Sequence, residues 1–415
     1  MSSSNNRPLA GKTVLDLTTA LAGPYATLLL AGLGARVIKI ENPERGGDAA
    51  RNNSPYVTAD GLSVLRTGED DMSVSMMSRG RNKESMTLDL KDPRGKQVFL
   101  DLAARADIVV ENYSAGVATR LGIDYAAVSA LNPKIVYTSI SGFGAQGGPG
   151  TGKAMDSIIQ ALSGVMMTAG NPGEGPIRFG LPIGDLVAPL FGVIGTLSAV
   201  IHAEATGRGQ QVDVSMLGSL TSMVAAEPFD AFEMIGLPTR TGSMVPRLAP
   251  FGIFEASDGF FAICGPTDAF AHGVLTAIGR SDLVTDPKFE KRDGRVHNAD
   301  ELHSMISEWA VGLPVDKVIS VLEMNGAPCA KVRSPRDAVR DPLVVSRGEV
   351  VPLTHPTYGN NVELFGSGLP ITMSESETTL ERPAPGLGQH TDDVLRSLLG
   401  YDDARIDELK AGKVL

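Results

Sequence analysis

The stretch from residue 13 to residue 40 does most to limit what this chain can fold into. Thr13-Val14-Leu15-Asp16-Leu17 is an apolar run of strand length, Pro24 opens a helix that continues through Ala31-Gly32, and Arg36-Val37-Ile38-Lys39-Ile40 is a second such run. Strand, helix and strand in succession form a βαβ unit, which makes the two strands parallel. The alternation then recurs. Residues 93–104 carry the pattern of an amphipathic helix ahead of the strand Asp107-Ile108-Val109-Val110, and the run Ile135-Val136-Tyr137-Thr138-Ser139-Ile140 precedes a glycine-rich loop at 141–152. The fold class expected is α/β, with an open parallel sheet of the Rossmann kind.

At 415 residues the chain exceeds one ordinary core, so two domains are expected. A long apolar helix is predicted over 186–206, where Gly192 and Gly195 allow close packing, and 216–236 carry further helical periodicity. The character then changes. Phe251-Gly252-Ile253-Phe254 and Gly259-Phe260-Phe261-Ala262-Ile263-Cys264 read as a hairpin around Ser257-Asp258-Gly259, with short helices following at 302–311 and 315–324. The expected division is a large domain over 1–215, a linker over 216–240, a smaller α+β domain over 241–335, and a return linker with the C-terminal part of the large domain over 336–415.

The charge balance and cysteines remove several function classes. A formal net charge of −11 argues against a nucleic-acid partner, because phosphate binding needs clustered Lys and Arg. Cys264 and Cys329 have no CxxC spacing, so no zinc or redox motif is visible. No run is expected to approach the roughly 18 apolar residues of a membrane span. The start, Met1-Ser2-Ser3-Ser4-Asn5-Asn6-Arg7, lacks the apolar core of a secretory signal. A cytoplasmic protein without a membrane partner is the expectation.

Two carboxylates stand out against this background. Asp156 lies in Lys153-Ala154-Met155-Asp156-Ser157-Ile158-Ile159, and Asp185 in Gly180-Leu181-Pro182-Ile183-Gly184-Asp185-Leu186-Val187. An acid at the edge of an apolar run is costly to bury unless it is paired, hydrogen-bonded or used. The plain alternative for each is a helix cap or a turn residue. The loop Gly142-Phe143-Gly144-Ala145-Gln146-Gly147-Gly148-Pro149-Gly150 is neither a Walker A nor a GxGxxG pattern. Glu41 ends the second strand where a nicotinamide enzyme would carry its ribose-binding acid, but no GxGxxG stands at 18–24 to support that reading.

The carboxylates sit among motifs that resemble, in order, those of a known family. These are Gly11-Lys12-Thr13-Val14-Leu15-Asp16-Leu17, Ala22-Gly23-Pro24, Leu33-Gly34-Ala35-Arg36-Val37-Ile38-Lys39-Ile40-Glu41, Leu88-Asp89-Leu90-Lys91, Val110-Glu111-Asn112-Tyr113, Asn132-Pro133-Lys134, Gly184-Asp185, Thr206-Gly207-Arg208-Gly209-Gln210 and Gly386-Leu387-Gly388-Gln389-His390-Thr391. The chain resembles the class III CoA-transferase family, which also contains carnitine CoA-transferase, formyl-CoA transferase and α-methylacyl-CoA racemase. The resemblance spans residues 10–392 and favours the transferase branch.

That resemblance implies an interlocked homodimer, a CoA-transferase activity with CoA and acyl-CoA as substrates and no permanently bound cofactor, and a small carboxylic acid as the second substrate. It makes Asp185 the nucleophile, reacting through a mixed anhydride and a β-aspartyl-CoA thioester, with Asp156 as its companion acid. Succinyl-CoA and acetyl-CoA are the plausible donors. The implied CoA-binding set is Leu21 and Ala22 at the thiol end, Leu88, Asp89, Leu90 and Lys91 near the nucleotide, and Asn112, Tyr113 and Ser114 after a strand. Arg120 and Lys153 are the implied phosphate cations, with Ala154 and Met155 beside the acid. In the racemases the position of Met155 resembles a proton-shuttling His, and methionine has no proton to exchange, which disfavours the alternative of an acyl-CoA racemase. His390 reads as a structural hydrogen-bonding residue, and Arg247 as a possible contact for a dicarboxylic acid.

Overall fold

The computed structural model describes residues 6–148 and 153–415, so the last four positions of the 141–152 loop lie outside it. The chain forms two compact units. The first comprises Met1–Ser163, Gly180–Met223 and Val339–Leu415, and the second Gly164–Phe179 and Val224–Ala338.

The first unit is built on six parallel strands: β1 (Thr13–Asp16), β2 (Arg36–Glu41), β3 (Lys83–Thr87), β4 (Ile108–Glu111), β5 (Val136–Ser141) and β6 (Gln211–Ser215). They run in the order β3-β2-β1-β4-β5-β6, the doubly wound arrangement of a Rossmann sheet. Because both faces are covered, β1, β2 and β4 are buried at nearly every position rather than at alternate ones. Leu15, Ile38, Met86 and Val109 share one core with Val98, Phe99 and Leu102 of α3 (Pro93–Ala103) and with Val394, Leu395, Ile406 and Leu409 near the C-terminus. Asp92 caps α3 by accepting from Arg94 N at 2.8 Å, with Pro93 at its first position.

Four other helices of this unit matter below: α1 (Ala22–Gly32), α2 (Val74–Arg79), α4 (Asp156–Leu162) and α5 (Ile183–Thr206). By length and composition α5 is apolar enough to cross a membrane, against the expectation that no run would reach that length. A count of consecutive apolar residues misses it because Gly, Pro, Ser and Thr interrupt the run without adding charge. One side of α5 lies against the sheet. A Cβ on Gly192 would meet Ile140 of β5 at 2.8 Å, and one on Gly195 would meet Val212 of β6 at 2.6 Å. Thr196 Oγ1 also bonds Thr138 Oγ1 at 2.6 Å. Elsewhere on α5, Leu190, Phe191, Ile194 and Ile201 are 41–68 % exposed.

The first unit also holds a small antiparallel sheet of Tyr56–Thr58, Gly61–Ser63 and Met72–Ser73, for which the sequence offered no pattern. In the second unit, Phe251–Ala256 and Gly259–Cys264 pair as an antiparallel hairpin across Ser257-Asp258, and Cys329–Lys331 adds a third strand. Helices Ala299–Ala310 and Val315–Met324 cover it, burying Leu302, Ile306, Val318 and Leu322 against Phe254, Phe261 and Ile263. The periodicity over 216–236 resolves into two helices, Met216–Val224 and Phe229–Met234, with Pro228 at the start of the second.

Candidate active site

The strand order reverses direction between β1 and β4, and open α/β sheets leave a ligand crevice beyond the strand ends at such a point. The loop leaving β1 there is held on every side by buried charge. Asp16 at the end of β1 accepts from Thr18 N at 2.9 Å and Thr27 Oγ1 at 2.7 Å, and lies 3.0 Å from the Lys83 ammonium. Burial opposes its ionisation, but Lys39 and Lys83 outweigh that and hold the carboxyl at about 2. Lys39 donates to Thr18 O at 2.7 Å and pairs with Asp48 at 2.7 Å. Asp48 accepts in turn from Ala20 N at 2.8 Å and Thr19 Oγ1 at 3.0 Å. Just past β4, the Asn112 amide clamps Thr19 at both its N–H and its carbonyl, each at 2.9 Å.

So many bonds hold Ala20 at φ +68°, a left-handed conformation costing a residue with a Cβ roughly 1–2 kcal/mol. The same network disposes of the ribose-acid reading of Glu41. That carboxylate is buried and engaged at 2.7 Å on both oxygens by Arg51, with Ser85 Oγ also at 2.7 Å.

The two carboxylates singled out in the sequence come together. Pro182 precedes α5 and has no side chain that can cap it. Asp156, the first residue of α4, takes over that role from outside the helix. Its Oδ1 accepts from Gly184 N at 2.8 Å and more weakly from Asp185 N at 3.4 Å, and its Oδ2 accepts from Gln160 Nε2 at 2.7 Å. Gly184 allows this approach, since a Cβ there would stand 3.1 Å from Asp156 Oδ1. Asp185 is therefore not the cap of its helix; its carboxyl stays free of that duty. Burial raises its pKa first, the nearby Asp156 charge adds to the rise, and Arg79 of α2 opposes both, leaving it at about 6.

Asp185 and Asp156 line a cavity of about 470 Å³ together with Ala20, Leu21, Ala22 and Met155. Asn112, Tyr113 and Ser114 border this cavity and also a second one of similar volume. Leu88, Asp89, Leu90 and Lys91 line the second cavity. Ala154 borders the first, whereas Arg120, on the short helix Val117–Leu121, and the exposed Lys153 line neither. His390 accepts from Ser85 N at 3.2 Å, as a structural residue would. In the second unit Arg247 is occupied by Glu227 at 3.1 Å and lies over the Phe232 ring.

The sequence pattern of CoA-transferase family III matches residues 9–391. The chain belongs to this family. It is a class III CoA-transferase, and CoA enters its chemistry as part of a substrate. Among similar proteins, the succinyl-CoA:mesaconate CoA-transferase of Haloarcula marismortui is 34% identical over 401 residues, covering 95% of this chain and 96% of the relative. The human succinyl-CoA:glutarate CoA-transferase is 31% identical over 414 residues, covering 99% and 90%. A CAIB/BAIF family protein from Brucella suis has a similar solved structure, with a TM-score of 0.81, 29% identity and coverage of 95% and 100%.

Two cations escaped the sequence reading, Arg45 in the transferase's crevice and Arg79 behind its wall. Arg45 lines the second cavity from the turn after β2 and makes no ion pair among the described residues. Its only sequence signal is a position inside Asn42-Pro43-Glu44-Arg45-Gly46, just past a strand end. Arg79 donates to Ala20 O at 2.6 Å and acts on Asp185 through its charge. No local pattern marks it, because its partners lie 59 and 106 positions away in the sequence (79 − 20 and 185 − 79).

Proposed function

We propose that this transferase moves CoA from succinyl-CoA to a small dicarboxylic acid, with Asp185 as the covalent nucleophile. What carries the reading is a partly desolvated carboxylate on a cavity wall, its helix capped by a second acid so that its own oxygens stay available. The relatives that use succinyl-CoA with mesaconate, glutarate or D-citramalate support the choice of substrates.

In this reading an Asp185 oxygen attacks the thioester carbonyl, the C–S bond breaks, and CoA leaves as thiolate. The resulting mixed anhydride is attacked at the Asp185 carboxyl carbon by that thiolate, which expels the donor acid as its carboxylate and leaves a β-aspartyl-CoA thioester. The acceptor carboxylate displaces the thiolate, and the thiolate then attacks the acceptor carbonyl, returning Asp185. Every step exchanges one acyl derivative for another, so the cycle needs no ATP. With a pKa of about 6, Asp185 is mostly ionised at pH 7 and needs no general base.

Leu21 and Ala22 would meet the thiol end of CoA, while Lys91 and Arg45 would meet its phosphates. Asp156 acts as the positioning residue for Asp185. The exposed apolar residues of α5, Leu190, Phe191, Ile194 and Ile201, support assembly as a homodimer, and a cytoplasmic location fits CoA-dependent metabolism. The test is to mix the enzyme with succinyl-CoA and a panel of four- and five-carbon dicarboxylic acids, and to follow new acyl-CoA by liquid chromatography. Transfer that vanishes in Asp185→Ala supports the reading. Absence of transfer, together with α-proton exchange on a branched acyl-CoA in heavy water, would replace it with a racemase.

A further inference from the structure

The second unit contains a cavity of about 190 Å³ that shares no lining residue with either cavity of the crevice. Its apolar wall is Phe229, Phe232, Leu237 and Val245, all half-buried, and the two rings meet edge to face with centroids 6.0 Å apart. Short hydrogen bonds fix this wall: Leu237 N donates to Phe232 O at 2.8 Å, and Val245 N to Phe251 O at 3.2 Å. The half-buried Thr241 adds a hydroxyl that has no partner among the described residues. An apolar concavity with a few polar groups is the composition of a small-molecule site. Its volume is that of roughly six water molecules, which suits a ligand the size of a small amino acid or organic acid.

The two charged residues of this cavity are a pair. Glu227 and Arg247 stand 3.1 Å apart with side chains 50% and 42% exposed, and an ion pair so open to water adds little to stability. The Arg247 guanidinium lies over the Phe232 face, 5.2 Å from its centroid, and donates no side-chain hydrogen bond among the described residues. Both charges are mounted on bonded turns: Phe229 N donates to Glu227 O at 2.9 Å, and the Arg247 carbonyl accepts from Arg292 Nη2 at 2.8 Å. The cavity thus offers one fixed cation and one fixed anion beside an apolar wall. A dicarboxylate would meet the Glu227 charge, a simple carboxylate would leave Glu227 without its partner, and an amine would do the same to Arg247. A ligand carrying both charges side by side satisfies both residues.

We propose that this cavity is a binding site for an α-amino acid with an apolar side chain. The ligand's carboxylate takes the Arg247 fork, its ammonium takes Glu227, and its side chain lies against Phe229, Phe232, Leu237 and Val245. The inference goes beyond the transfer reaction and does not depend on the role of Asp185.

The test is a saturation-transfer NMR titration of the full chain with L-leucine and L-valine up to about 10 mM, beside two analogues of leucine that each lack one charge, 4-methylpentanoate and 3-methylbutylamine. L-Leucine should saturate, and both analogues should bind at least about tenfold more weakly. Arg247→Gln and Glu227→Gln should each weaken L-leucine about tenfold. Glu227→Gln should also make 4-methylpentanoate bind at least as well as L-leucine, because the freed guanidinium then faces no acid. Val245→Phe fills the cavity without touching either charge and should abolish binding. Wild-type protein that saturates with neither amino acid would overturn the proposal, as would 4-methylpentanoate binding the wild type as tightly as L-leucine. L-Leucine affinity unchanged in the folded charge variants would place its site elsewhere and refute the assignment. If the charge variants do not fold, Val245→Phe decides, and undiminished L-leucine binding there refutes it.

Discussion

Replacing Asp185 by Asn should stabilise the first unit above pH 6 while abolishing transfer. In the folded protein the carboxyl titrates at about 6 against an ordinary 3.8, so folding favours its protonated form. The sign follows from proton linkage. A carboxyl whose folded pKa is raised contributes stability that is fully present below 3.8 and lost as pH rises through about 6, because between those values the native state binds more protons than the unfolded one. At 1.36 kcal/mol per pH unit the interval amounts to roughly 3 kcal/mol. The group is only partly buried, and screening reduces the figure to about 1–2 kcal/mol. Asn has the same shape and no charge to desolvate, so its advantage over the wild type should be near zero at pH 4 and reach about 1–2 kcal/mol by pH 7.5. Tryptophan fluorescence reports on the wrong part of the molecule, since the single Trp, Trp309, packs against the core of the second unit. Hydrogen exchange of peptides from α5, measured at pH values from 4 to 7.5 and corrected for intrinsic rates, follows the relevant opening. An Asn variant no more stable than wild type at pH 7.5, or an advantage that does not grow with pH, would refute the reasoning.

Other substitutions probe the parts separately. Asp156→Asn keeps an acceptor for Gly184 N–H and removes the repulsion on Asp185, so the acid limb of the transfer rate should move to lower pH; an upward move would contradict the electrostatics. Asp156→Ala also removes the cap of α5 and should cost a further ~1 kcal/mol in chemical unfolding. Asp48→Ala leaves the Lys39 ammonium buried beside one fewer carboxylate and frees Ala20 N–H, which should destabilise the first unit by about 3–5 kcal/mol. Arg45→Ala should raise KM for the CoA thioester about tenfold with little change in kcat, the signature of a lost phosphate contact.

Much of both units was legible because their signals are local. The β1–α1–β2 succession is a run of apolar residues broken by a helix of standard length, and the hairpin at 251–264 is marked by a two-residue turn between β-rich runs. The membrane-length character of α5 was missed for a local reason too, since Gly, Pro and Thr made an apolar helix with few charges look interrupted. Asp156 and Asp185 were conspicuous as acids in apolar surroundings, but their division of labour was not. Which acid caps α5 depends on a hydrogen bond spanning 28 positions to Gly184 N. Arg79 and Arg45 carry no periodicity or motif of their own; only the fold brings Arg45 to the second cavity and Arg79 to the Ala20 carbonyl. Arg120 and Lys153 show the converse, since cations near matching motifs need not face the cavities those motifs line.

The most direct test of the account is the covalent intermediate itself. The enzyme is incubated with succinyl-CoA without an acceptor acid and examined by intact-protein and peptide mass spectrometry, with Asp185→Ala as the control. The account predicts a CoA-sized adduct, cleaved by hydroxylamine, on the peptide that contains Asp185 and absent from the variant. Active transfer from succinyl-CoA with no such adduct, or with an adduct on another residue, would contradict it.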